Sequence, residues 1–150
     1  MNLTSFFLRN SFLSIMCLLL ALPGMAQKSK KNDKLEKRMY DIEVKETTTE
    51  GKKYEKGEVE FTPKEIVCDY FESKLKIQTM HYKTLKDSSY TEEGDQLKYF
   101  KVRATEKGQK EDEQYVLVAE IKGKDITGTI SLMKGDKAKR TWEFEGTQKN

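Results

Sequence analysis

The sequence predicts an all-β domain: an antiparallel meander of about seven or eight short strands that closes into a small barrel, preceded by a signal peptide. Three observations carry this. From Tyr40 onward the apolar residues recur mostly at every second position, the period of a strand with one dry and one wet face. Gly, Asp, Ser and Lys clusters punctuate those runs at hairpin spacing. No stretch holds an apolar 3.6-residue period long enough for a core helix, and no repeat of 20–50 residues is present. An open sheet of this size would leave long edges, so closure is expected.

Residues 1–26 read as an address. Arg9 precedes an apolar stretch from Phe12 to Leu22, then Pro23 and Gly24-Met25-Ala26, the order of zones in an export signal cleaved after Ala26. The apolar run is too short for a membrane-spanning helix, which needs about 20 residues. Cys17 follows Met16, not the small residue that lipid attachment requires. The mature protein is therefore expected to be exported, periplasmic or secreted from a bacterium, and not membrane-spanning. Its one remaining cysteine, Cys68, can form no intrachain disulfide and is expected to be buried in a strand.

The chain has 28 basic and 25 acidic residues, a formal net charge of +3 and 36% hydrophobic residues. The signal segment takes a large share of those hydrophobics, so the mature chain holds a lean core. Seven Tyr, one Trp and several Phe, Val and Ile still argue against disorder. Lys and Glu interleave throughout, which speaks against a basic nucleic-acid-binding face.

Residues 27–37, with one apolar residue among five lysines, are expected to form a flexible basic arm. The barrel domain is placed at 38–147. Tyr40, Ile42 and Val44 alternate with charged residues in a first strand; Thr47 to Gly57 is a loop or long hairpin. Val59 and Phe61 form a second strand that Pro63 ends, since proline cannot donate to a ladder. Ile66 to Phe71 is a strand, Glu72 to Lys74 a turn, and Ile77 to Tyr82 extended again. Lys83 to Asp95 is polar throughout and reads as a long surface loop. Phe100, Val102 and Ala104 mark the next strand, and Glu106 to Gln109 turns the chain. Three meander strands follow: Tyr115, Leu117, Ala119 and Ile121; Ile126, Gly128, Ile130 and Leu132; and Arg140, Trp142, Phe144 and Gly146. Tight turns at Lys122–Asp125 and Lys134–Lys137 join them. Alternation puts Trp142 inward, against Gly128 and Ile130 of the neighbouring strand.

Enzyme chemistry finds little support. His81 has no second histidine for a metal site, which needs three or four ligands. Cys68 and His81 could make a thiolate pair only if the fold joined them. Neither a Gly-x-Ser-x-Gly elbow nor a glycine-rich phosphate loop is present, and Glu143 and Glu145 read as a solvated face. No cofactor, metal or nucleic acid is expected.

The run Gly123-Lys124-Asp125-Ile126-Thr127-Gly128-Thr129-Ile130, then Lys134-Gly135 and Trp142-Glu143-Phe144-Glu145-Gly146, resembles the closing hairpin of small exported bacterial lipocalin-like (calycin-like) barrels. The Phe61 to Tyr82 region looks like their middle strands, so the resemblance spans Met39 to Gly146. The first strand reads Lys37-Arg38-Met39-Tyr40 where a lipocalin carries Gly-x-Trp, and the single Trp lies on the last strand. The resemblance implies a binding module for a small apolar ligand, its cavity lined by Phe61, Tyr70, Tyr82, Phe100, Leu117, Ile130 and Trp142. The alternative is a non-enzymatic envelope interaction or structural protein with a filled core, for these side chains are bulky for so short a barrel.

Overall fold

Period-two apolar patterning produces eight strands in a computed structural model, which describes residues 34–50 and 52–150. They are β1 (Met39–Glu46), β2 (Glu55–Phe61), β3 (Glu65–Cys68), β4 (Met80–Glu92), β5 (Asp95–Lys107), β6 (Glu113–Lys122), β7 (Asp125–Lys134) and β8 (Lys137–Gln148). Each pairs antiparallel with the next, and β8 pairs back onto β1, closing the barrel. The predicted signal peptide and residues 27–33 of the predicted arm lie outside the described residues.

Closure follows from alternation on the strand segments that line the core. Along β1 the even-numbered Tyr40, Ile42, Val44 and Glu46 are buried while Asp41 and Glu43 are exposed. The register then stacks inward residues into layers: Val44 lies beside Phe144, Phe144 beside Gly128, Gly128 beside Ala119 and Ala119 beside Val102. The next layer runs Glu46, Trp142, Ile130, Leu117 and Ala104. Each layer sets one bulky ring, Phe144 or Trp142, against smaller side chains further round, Gly128 and Ala119 or Ala104, which lets both rings share a narrow interior.

Several expectations change. Lys83–Asp95 is not a loop: β4 and β5 form one long hairpin whose turn is only Glu93-Gly94, both at positive φ (50° and 90°). The strands here lack apolar alternation because the hairpin is wet on both faces, so no period marks it. Tyr70 and Phe71 leave β3, which ends at Cys68, and Phe71–Leu75 forms a single wide helical turn, α1. Lys76, at φ 62°, closes it by donating its N–H to the Phe71 carbonyl. Phe71 and Leu75 are buried, so this short polar-looking stretch docks two apolar side chains into the core.

The predicted arm also ends earlier than expected. Leu35 is buried, and the Lys37 N–H donates to the Phe61 carbonyl at 2.7 Å. One leucine among lysines was too little signal, yet it supplies the apolar surface that seats this segment on the barrel.

Candidate functional site

Of the seven side chains expected to line a cavity, six are buried: Phe61, Tyr70, Phe100, Leu117, Ile130 and Trp142. Tyr82 is half-buried and packs on the core, its hydroxyl donating to the Thr62 carbonyl at 3.0 Å. Strand alternation carries Phe61, Phe100, Leu117, Ile130 and Trp142 inward, Tyr82 packs on the core from β4, and Tyr70 is buried from just before α1, beyond the end of β3. They do not converge on a shared space. Phe61 meets Tyr40 and Tyr82 edge to face, at centroid separations of 5.9 and 5.5 Å. Tyr70 leans on Phe71 at 6.3 Å, and Phe71 on Phe144 at 6.0 Å. Trp142 lies against Tyr115 at 6.4 Å. Such ring pairs each stabilise by about 0.5–1.5 kcal/mol beyond the area they bury.

Trp142 sits beside Ile130 as expected, but Gly128 lies opposite Phe144. A Cβ at Gly128 would come 2.5 Å from the Phe144 ring and 2.7 Å from the Val118 carbonyl. The glycine thus admits phenylalanine, not tryptophan. Arg140, expected inward, keeps the face of Trp142 in regular register opposite Leu132, but it stands at the rim of the barrel and its side chain is half-exposed.

Both ends of the interior carry an arginine over an aromatic ring. At one end the Arg140 guanidinium lies 4.8 Å from the Trp142 ring and donates two hydrogen bonds to Glu46, at 2.8 and 2.9 Å. Lys52 Nζ is 3.5 Å from the same carboxylate, and the Thr49 hydroxyl donates to it at 3.3 Å. The Arg140 hydrogen bonds hold the Glu46 carboxyl far below the usual range, at about 2, against the upward push of burial. Glu46 is inward because it continues the parity of Tyr40, Ile42 and Val44, a signal present in the sequence but hidden by its charge. At the other end Arg38, itself buried, lies 5.2 Å from the Phe100 ring, and its guanidinium donates to the Lys34 and Gly123 carbonyls at 3.2 Å each. Each such stack contributes about 0.5–2 kcal/mol.

Cys68 and His81 are not brought together. Cys68 is buried inside, where desolvation pushes its thiol up to about 12. The His81 side chain is 72% exposed and lies 3.5 Å from Glu65. Among the described residues no three His, Cys, Asp or Glu side chains group as metal ligands. Glu143 and Glu145 are exposed.

Five open depressions among the described residues lie on the outside of the barrel, and their linings include none of the seven interior residues. One runs across β6, β7 and β8 between Tyr54, Glu120, Thr127 and Glu143. Another follows the β4–β5 hairpin, where Tyr90, Leu97 and Tyr99 are half-buried beside Lys86. The sequence reading puts Lys83 to Asp95, and with it Tyr90, in a loop and marks the next strand only from Phe100, so these partly sheltered side chains were missed. Compared with known proteins, the chain matches no family model, no curated protein and no solved structure.

Proposed function

We propose that this is an exported, non-enzymatic envelope protein, a lipocalin-like barrel of bacterial origin that acts through its outer wall. One observation carries the reading: the interior aromatic side chains spend their surface on one another, and an arginine is stacked over a ring at each end. An eight-stranded barrel is just wide enough to be filled by its own side chains. A small apolar ligand, which the family resemblance implies, would have to displace Trp142, Phe144 or Phe71 to enter. That displacement would forfeit the packing that a core of this size depends on.

The export signal read in residues 1–26 supports the envelope setting, and the dense but mixed charge of the exterior supports contact with another polar surface over binding of nucleic acid. Native mass spectrometry of the exported protein tests the reading. We expect the mass of a chain beginning at Gln27 with nothing bound. A co-purifying apolar molecule released on unfolding would overturn it in favour of a ligand carrier.

A further inference from the structure

The barrel is closed, yet among the described residues one strand keeps a bare edge. β3 pairs with β4 only through Glu65 opposite His81 and Ile66 opposite Met80, and the last bond on that side is from the Tyr82 N–H to the Lys64 carbonyl. Beyond it β4 continues to Glu92, paired on its other side with β5 along its length. Among the described residues no strand covers the outer edge from Lys83 to Glu92. Such an edge offers every second N–H and C=O to another strand. The register shift between Thr84 and Lys86, with exposed Leu85 at the bulge, bends the edge next to the barrel and so protects its first part. From Lys86 to Glu92 the pairing with β5 is regular.

We propose that this edge joins a second copy of the chain, with Lys86–Glu92 of the two copies pairing antiparallel about a two-fold axis. Residues opposite each other in a ladder share a face, so a symmetric register must be centred on one residue. Centring on Lys86 or Asp87 sets that charge against its own copy. Centring on Ser89 sets Lys86 opposite Glu92 at both ends, Asp87 opposite Thr91 and Ser88 opposite Tyr90. The two Tyr90 rings then lie diagonally across the axis, within reach of each other. Complementary charge therefore selects one register and one partner. The hairpin projects past the end of β6 at Lys122, so the two barrels sit at opposite ends of the shared sheet without meeting. A ladder this short falls at the weak, transient end of protein interfaces, and the dimer forms with rising concentration. The proposal is independent of what the barrel interior holds.

Sedimentation equilibrium of the exported protein over rising concentration reads it. We expect a monomer–dimer equilibrium that weakens with salt. Lys86→Glu alone or Glu92→Lys alone should each weaken dimerisation about tenfold or more, by placing like charges opposite twice; the Lys86→Glu/Glu92→Lys double variant should restore it. Both positions of change, Lys86 and Glu92, are solvent-exposed, so folding is not at stake. Ser89→Cys, on the axis, should form a disulfide-linked dimer on oxidation, and Thr127→Cys on the far wall should not. A monomer at every concentration overturns the proposal, as does a dimer indifferent to both single charge reversals. A monomer whose Lys86–Glu92 amides all resist hydrogen exchange would place another segment on the edge and overturn it equally.

Discussion

At the scale of single residues, two side chains show how position overrides type. Trp142 is the largest fully buried side chain, wedged between Ile130, Tyr115 and the Arg140 guanidinium. Truncating it to alanine should cost about 3–5 kcal/mol, a large part of the roughly 5–15 kcal/mol that holds a domain folded. The urea midpoint of Trp142→Ala should fall sharply, while wild-type emission should be blue-shifted and move only on unfolding. Glu46 is a carboxylate in an apolar layer, made tolerable by Arg140. Its folded pKa, about 2, lies below the ordinary 4.5, so its contribution to stability is complete above pH 4.5 and is lost as pH falls towards 2. Glu46→Gln removes that dependence. Urea denaturation at several pH values should show wild type more stable near neutrality, with the gap narrowing as the solution is acidified through this window.

At the scale of elements, the β4–β5 hairpin and α1 were the two places where local pattern misled. The hairpin has no buried face beyond Phe100, and its strand character comes from cross-strand pairing alone. Its turn places Glu93 at φ 50°, a left-handed conformation that asparagine tolerates better than glutamate. Glu93→Asn should therefore stabilise the protein by about 0.5–1 kcal/mol, visible as a rise of a few degrees in Tm. By contrast the Lys122–Asp125 and Lys134–Lys137 turns carry glycine at the one central position with positive φ, Gly123 at 60° and Gly135 at 57°. Those turns were legible in the sequence because their residue types announce their backbone. The Glu93-Gly94 turn carries half that signal, and the polar strands around it gave no second one.

At the scale of the whole barrel, closure ties its first and last strands together. β1 and β8 pair over Tyr40–Glu46 and Trp142–Gln148, and the Lys149 N–H donates to the Met39 carbonyl at 2.8 Å. A single cluster of buried side chains includes residues from every strand and from α1. Unfolding should be all-or-none: urea transitions followed by Trp142 fluorescence and by far-UV circular dichroism should superimpose. A midpoint difference between the two probes would mean that the barrel opens in parts.

The sequence alone determined the all-β class, the meander order, the two glycine turns and the inward orientation of Phe61, Phe100, Leu117, Ile130 and Trp142, because alternation along a strand is a local property that fixes which side chains share a face. Tertiary structure decided what those faces meet. That Gly128 makes room for Phe144 and not Trp142, that Glu46 is an acceptable core residue, that Leu35 seats the start of the domain and that Lys83–Glu92 is strand all depend on partners distant in the chain. A strand's period is written in its own residues, whereas its register, its bulges and the neighbour across the ring arise only when the barrel closes.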